Sequence, residues 1–533
     1  MSDKNCTTTP IGVFTILLCL SIAALLVYRA MTMSMTTDEA FTVSNYAAQG
    51  RNIFSPEKFW PNNHIPHSIL VWVMFQIAPW QEWAMRLPAL AAGIGVLVVL
   101  RQLGYFLFVT TPEKPGRIAK LCPVLLIAVV ALHPLVFQFL SFARGYGLSL
   151  LCSLLGFYTL LLVLCHPTGD DEVKRFRCNM SIAGILFGSS VAANLTSAIM
   201  NVSMVVGFLV VAVCSNRFHT KQLQAFLLLF CLPGAGIALV PYAPVIFRVS
   251  LARFDYATDN AWEGLLDPVA YTLGRCDVVP EVNRLLIGVP VSEETYWLLL
   301  TAMPFVVVLP IVLIASVFAA VSFRTIKIRP LRPDESALLV ILLGLFCYTA
   351  ILCIAAAFGK HLFPKDRTGV LPIAYASMLP VLLLYRFEVS AALRRFGYGV
   401  AIALLLYMVH LTSLFAYPYY HNIWYADADI RTMMQDVRKR MTEPEPPRIL
   451  VCLAMNEPVI EYYKKKYVLN DLQVERILRT EAVEDISAWP SRVFFILPAH
   501  EAEATVRRQA KSLEILRRNP YTGLVLMECA YLR

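Results

Sequence analysis

The sequence predicts a polytopic α-helical membrane protein with about eleven transmembrane helices and a small extracytoplasmic α/β domain at its C-terminal end. Three observations predict it. The 533 residues are 58% hydrophobic and 16% charged, with a mean hydropathy of +0.61, too apolar for a water-soluble globule. Apolar runs long enough to cross the hydrocarbon recur between residues 11 and 416. The composition then changes, and residues 417–533 alternate charged amphipathic stretches with short apolar runs.

The expected spans are 11–30, 87–108, 121–139, 145–165, 180–197, 199–215, 223–247, 297–322, 336–358, 369–386 and 397–416. The first is a signal anchor, because residues 32–35 offer no small-residue cleavage site. The apolar stretch 66–80 is short and has prolines Pro66 and Pro79 near its ends, which predicts an interfacial or re-entrant helix. Residues 180–215 must hold two spans with a tight turn near Ala198, since the basic loops around Lys174 and Lys221 belong on one side. Lys114, Arg117 and Lys120, Lys174, Arg175 and Arg177, Arg217 and Lys221, Arg324 to Arg332, and Arg386, Arg394 and Arg395 then all fall inside. This asymmetry obeys the positive-inside rule with a cytoplasmic N-terminus. Arg29, at the outer end of the first span, runs against it.

The outer side receives the loops 31–86 and 248–296 and the domain 417–533, leaving 1–416 as the transmembrane domain. In the C-terminal domain, 448–454, 493–497 and 524–527 are expected as buried strands. Residues 427–441, 457–467 and 499–516 are expected as helices, with the lysine run 464–466 on a solvated face.

Composition excludes several functions. The net charge of +9 is explained by the inner loops, so no nucleic-acid partner is expected. The thirteen cysteines lie mostly in apolar runs with no CxxC pair, the pattern of small core side chains. No P-loop, GxSxG, HExxH or zinc-finger spacing occurs.

The chemistry-bearing residues gather on the outer side. Asp38 and Glu39 follow the first span directly. A carboxylate there can take a proton from an acceptor hydroxyl or bind a divalent cation; the plain alternative is a solvated acidic loop. His64 and His67, three apart at a helix start, can share a face and bind a substrate or a metal. An aromatic-belt helix with Trp60, Trp72, Trp80 and Trp83 explains the same stretch. Arg144 and Tyr146 occupy a very short outer loop. An arginine so near the hydrocarbon needs a partner, Asp38 or a lipid phosphate. Lys360, His361, Lys365 and Arg367 concentrate cations where sidedness predicts few, and that suits a phosphodiester or diphosphate. The run 253–263 mixes aromatics, acids and arginine, a weak sugar-binding signal.

With these segments in order, the chain resembles membrane glycosyltransferases of the GT-C superfamily, and most of all the protein O-mannosyltransferase and aminoarabinose-transferase group. The likeness covers residues 11–416 and is carried by Asp38-Glu39, His64-Ile65-Pro66-His67, Arg86-Leu87-Pro88-Ala89-Leu90 and Ala143-Arg144-Gly145-Tyr146. It implies a polyprenyl-phosphate-linked sugar donor, and a glycan, lipid or protein acceptor. It implies extracytoplasmic transfer with inversion, as in protein glycosylation or cell-envelope assembly. Asp38 would be the base and Glu39 its support. Arg144, Tyr146, Lys365 and Arg367 would hold the donor phosphate, with His64, His67 and His361 as further substrate or metal ligands. Ser141 stands where some relatives carry a second acid, which weakens a metal-assisted route, and the histidine segment lacks the consecutive prolines of the protein mannosyltransferases. A bacterial inner membrane is the first expectation and the endoplasmic reticulum the second. A transporter or flippase of a lipid-linked substrate is the alternative, but it calls for charged or broken helices at mid-membrane, and these spans are largely uncharged at their centres. A non-catalytic assembly factor is the third reading.

Overall fold

The computed structural model describes residues 10–60, 63–109, 117–165, 170–216, 218, 220–246, 331–358, 366–387, 404–409, 427–477, 492–498, 510–519 and 524–530, with isolated positions at 285–324, 363, 395, 399, 402 and 506. Among these, seven helices are long and apolar enough to cross a membrane: Pro10–Thr32 (α1), Glu82–Phe108, Tyr146–Cys165, Leu195–Cys214, Thr220–Tyr242, Pro333–Ala357 and Arg367–Arg386. Each matches an expected span. The expected spans 297–322 and 397–416 fall largely outside the described residues.

Two segments differ in detail from expectation. The span expected at 121–139 is broken into α5, Arg117–Ala131, and α6, Pro134–Phe139. Pro134 has no N–H for the carbonyl four residues back, which favours a break there, although α5 itself runs through Pro123. His133 caps the second by accepting from the Leu135 N–H at 3.3 Å. The span expected at 180–197 is the second half of a longer helix, α8, Asp170–Ala193. The expected return follows it: Asn194 caps a short turn, Leu195–Ser197, and α9 starts at Ala198.

The expected non-spanning helix is α3, Ile65–Ile77, with Pro66 in its first turn. Its 13 residues give a length of about 20 Å, short of the roughly 30 Å hydrocarbon. α4 is Glu82–Phe108 and α7 is Tyr146–Cys165. α7 packs on α8, α4 on α5 and α7, and α1 on α4. α8 meets the helix Leu232–Leu239 backbone to backbone: a Cβ on Gly188 would lie 2.3 Å from the Gly234 carbonyl oxygen. At the far end of the bundle from Asp38, Arg386 pairs with Asp334 at 2.8 Å and Glu335 at 3.0 Å, stapling two helix ends.

The C-terminal domain is a five-stranded sheet in the order Gln473–Ile477, Ile449–Leu453, Arg492–Pro498, Leu524–Ala530, Ser512–Arg518. The first three strands are parallel and the last two join antiparallel. The three expected strands and the helices Ile430–Arg440 and Glu457–Tyr467 are present. The helix expected over 499–516 is wrong at its end, where Ser512–Arg518 forms an edge strand bulged between Ile515 and Arg517; most of 499–509 lies outside the described residues. Charged side chains suit an exposed sheet edge as well as a solvated helix.

This domain is not a separate bead. Met433, Tyr462 and Tyr463 share one apolar core with Met35, Ala40, Val43, Val71 and Met85. Trp80 adopts a left-handed φ of 59° before α4, which is strained for a bulky residue. Its carbonyl accepts from the Tyr462 hydroxyl at 2.8 Å, and Lys465 lies 5.3 Å from its ring centre. Lys466 pairs with Glu82, and Arg431 lies 3.6 Å from the same carboxylate. The lysine run expected on a solvated face is therefore part of the joint. The sequence is uninformative there, because the partners lie hundreds of residues away.

Candidate active site

The acidic pair sits on a single helical turn, α2, Thr37–Thr42. Thr36 caps it: its hydroxyl accepts from the Glu39 N–H at 3.3 Å, and Glu39 Oε2 accepts from the Thr36 N–H at 2.9 Å. Adjacent residues on a helix point about 100° apart, and the two acids meet different surroundings.

Glu39 points into protein. Arg86 Nε reaches Oε1 at 2.8 Å and Arg86 Nη2 reaches Oε2 at 2.7 Å, with both side chains 0% exposed. The Ala143 N–H adds a bond of 2.6 Å to Oε1. The other face of the Arg86 guanidinium donates to the carbonyls of Ala30, Met33 and Ser34 at 3.0, 2.9 and 2.7 Å. These bonds tie the end of α1, the turn into α2, the start of α4 and the turn before α7.

Asp38 points to a partly open site. Its side chain is 13% exposed, with Arg367 Nη1 at 3.0 Å and Arg144 Nη2 at 3.5 Å from Oδ2. Arg367 comes from the short turn Asp366–Gly369. Arg144 precedes α7 and donates from Nη1 to Thr42 Oγ1 at 3.2 Å, which itself donates to the Asp38 carbonyl at 2.9 Å. Tyr146 hydrogen-bonds Arg144 through its side chain, and its ring meets His64 edge-on at 5.1 Å.

His64 and His67 are buried in this wall. Burial first, and then the Arg144 charge, hold both well below the usual imidazole range, His67 at about 3. Both are neutral at physiological pH. Among the described residues His64 Nε2 and both His67 ring nitrogens have no hydrogen-bond partner. The chain passes His64 closely at Gly145, where a Cβ would fall 2.2 Å from the Ala193 carbonyl oxygen and 2.8 Å from His64 Cβ.

The structure thus joins Asp38, Arg144, Tyr146, Arg367, His64 and His67 at one end of the bundle, with Glu39 directly behind. Lys365 and His361 lie outside the described residues, as does the run 253–263. No three His, Cys, Asp or Glu side chains gather as a metal-binding group among the described residues. Sequence reasoning missed two residues. Arg86 appeared only as part of a helix-start motif, and nothing local tied it to Glu39. Asp427, which grips the residue next to Asp38, lay in a charged stretch expected as a helix.

No family model and no curated protein matches the chain. Among solved structures it is similar to ArnT from Cupriavidus metallidurans bound to undecaprenyl phosphate, with 12% identity, 98% of each chain covered and a TM-score of 0.49. It is also similar to the archaeal oligosaccharyltransferase AglB from Archaeoglobus fulgidus in complex with an inhibitory peptide and a dolichol-phosphate, with 11% identity over 93% of this chain and 72% of that one, TM-score 0.42. A third is the arabinofuranosyltransferase AftD from Mycobacteria, with 11% identity over 98% of this chain and 40% of that one, TM-score 0.44. With TM-scores this low, these likenesses carry no weight for the activity, which rests on the site's own chemistry.

Proposed function

We propose that this protein is a membrane glycosyltransferase, a hexosyl- or pentosyltransferase that moves a sugar from a polyprenyl-phosphate donor to a glycan, lipid or protein acceptor on the extracytoplasmic face. The observation that carries the reading is the Asp38 carboxylate, 13% exposed at the end of a membrane-crossing helix, with Arg367 at 3.0 Å and Arg144 at 3.5 Å. A base and two guanidinium groups at one opening are the parts a displacement at an anomeric carbon needs.

In this reading the donor phosphate takes over contacts from Arg144 and Arg367, which releases Asp38 from its ion pairs. Asp38 accepts the proton of the acceptor hydroxyl as its oxygen attacks the anomeric carbon. The bond from that carbon to the phosphate oxygen breaks, and the charge growing on the phosphate meets the two arginines. Attack opposite the leaving group inverts the centre. Tyr146 holds Arg144 in place, and His64 and His67 form a neutral polar wall. Lys365 and His361 are proposed from the sequence as further donor contacts. Glu39, with both oxygens saturated, positions α2 and does not meet substrate. The donor set does not fit a divalent cation: Asp38 already faces two arginines, and no second carboxylate or histidine joins it in a metal-binding group among the described residues. The basic residues of the expected inner loops support a cytoplasmic N-terminus, and a bacterial inner membrane is the first source to test.

The test is transfer from a panel of radiolabelled polyprenyl-phosphate sugars in membranes, with wild type and Asp38→Asn at matched expression. Label reaching an acceptor with wild type and at least 100-fold less with the variant supports the reading. Equal transfer removes Asp38 from the chemistry. No transfer with any donor, together with flipping of the labelled lipid, favours a transporter.

A further inference from the structure

The C-terminal domain holds the segment ahead of the acidic pair at several points, the Tyr463 hydroxyl accepting from the Met35 N–H at 2.9 Å among them, and one of its carboxylates grips the residue next to Asp38. Asp427 is 1% exposed. Its Oδ2 accepts from the Thr37 N–H at 2.5 Å, and its Oδ1 accepts from the Thr37 hydroxyl at 2.9 Å and from Asn456 Nδ2 at 3.3 Å. The Thr37 hydroxyl also lies 2.7 Å from the Met455 carbonyl oxygen. Thr37 is the first residue of α2 and the chain neighbour of Asp38. Its hydroxyl and its amide are thus held by a domain that begins almost four hundred residues later.

We propose that Asp427 is a positioning residue for Asp38, fixing the direction of the base through Thr37. This rests on the glycosyltransferase reading for the role of Asp38, but not for the contact itself. α2 is six residues long and runs on into the π-helical turn Val43–Ala47, so its free end is the N-terminal one, at Thr37. Glu39 and Arg86 anchor its inner face; without Asp427 the Thr37 N–H loses its acceptor and the Thr37 hydroxyl keeps only the Met455 carbonyl. Two anchors on opposite sides of Asp38 remove the rocking that one would leave. A shift of about 1 Å at a reacting group can cost roughly 100-fold in rate.

The clamp holds in either protonation state. Ionised, Asp427 accepts from the Thr37 hydroxyl. Protonated on Oδ1, it can donate to that hydroxyl, which then donates to Met455. Burial pushes the carboxyl up to about 7 against the hydrogen bonds from Thr37 and Asn456, with the Asp38 charge adding to the rise. An amide keeps both contacts to Thr37: its Oδ1 can accept from the Thr37 N–H and its Nδ2 can donate to the hydroxyl, at the loss of the long bond from Asn456. That distinction makes the proposal testable.

The experiment compares wild type, Asp427→Ala, Asp427→Asn and Asp38→Asn in the full-length protein, measuring kcat and donor KM. The rate of carbodiimide modification of Asp38, read by mass spectrometry, supplies a measurement that needs no turnover. Expected is a fall in kcat of about 10- to 100-fold for Asp427→Ala with donor KM within about twofold, recovery of most of kcat in Asp427→Asn, and an altered Asp38 labelling rate in the alanine variant alone. Unchanged kcat and labelling in Asp427→Ala overturn the proposal. So do equal losses in the alanine and asparagine variants with matching falls in melting temperature. If no donor is turned over by wild type but labelling of Asp38 responds to Asp427→Ala, the transferase reading fails while the positioning stands.

Discussion

The two acids of α2 make a sharp prediction because only one of them faces the opening. Consider Glu39 and its partner. Arg86→Met removes two bonds to Glu39 and three to the carbonyls of Ala30, Met33 and Ser34, all inside a 0%-exposed pair. Glu39 keeps the N–H groups of Thr36 and Ala143 but loses its counter-charge. Leaving one member of a buried pair uncompensated costs about 3–5 kcal/mol, and Glu39→Ala should fall in the same range because it strands the guanidinium instead. The double variant should cost less than the sum, with a coupling of about 2–3 kcal/mol. Asp38→Asn keeps the side chain's shape at a 13%-exposed position but takes the counter-charge from Arg144, which is 1% exposed, so its cost should be about 1–3 kcal/mol, below that of the Glu39 pair. The assay is unfolding in mixed micelles, with transfer measured on the same preparations. Asp38→Asn should lose transfer with the smaller fall in stability, while the Glu39 and Arg86 variants should lose both together. If Glu39→Gln leaves stability within 1 kcal/mol of wild type yet abolishes transfer as Asp38→Asn does, Glu39 acts on substrate and the division of labour argued here is wrong.

Three other outcomes are expected. Arg367→Lys keeps the charge beside Asp38 but loses the planar fork, so kcat/KM for donor should fall about 10- to 100-fold with the melting temperature nearly unchanged. Gly145→Ala places a methyl 2.2 Å from the Ala193 carbonyl oxygen; thermal unfolding should show a loss of about 1–3 kcal/mol, and a smaller loss would mean α8 yields easily. His64 and His67 are held neutral when folded, below the 6.5 of the unfolded chain. A depressed base contributes stability that is complete above about 6.5 and is lost as pH falls, so His67, held at about 3, should cost about 2 kcal/mol by pH 5, and His64 acts in the same direction. His67→Phe should flatten that acid limb, which a pH series of melts would read directly.

How much of this was legible follows from the range of each interaction. Spans are legible because each is a local composition: seven of the expected runs are helices long enough to cross. The break at His133-Pro134 was not legible, since a proline inside an apolar run does not by itself end a helix: α4 runs through Pro88 and α5 through Pro123. The edge strand Ser512–Arg518 was not, because its alternation is blurred by the bulge and its charges fit a helix as well. In the site, the gathering of Asp38, Arg144 and Arg367 could be anticipated from sidedness, which sends all three to one face. Asp38 was one of the two partners the sequence offered Arg144, and the pair is present; that Arg367 joins it could not be read, since it depends on the turn before another helix.

Glu39 shows what a closer local reading would have added. Thr36-Thr37-Asp38-Glu39 carries the capping-box spacing, a hydroxyl residue followed three later by Glu. That pattern alone assigns Glu39 to the backbone and leaves Asp38 as the acid free for chemistry. Arg86 then follows from energetics: a glutamate buried behind a cap needs a cation, and an arginine at the start of the next long helix can supply one. Asp427 is different in kind. No spacing connects it to Thr37, and its hydrogen bonds exist only because the C-terminal domain shares its core with the loop that carries α2. A domain that packs this way cannot be removed without freeing one side of the turn that bears the base. The C-terminal domain is therefore part of the site's framework, and truncation at residue 416 should abolish transfer even where the membrane helices still assemble.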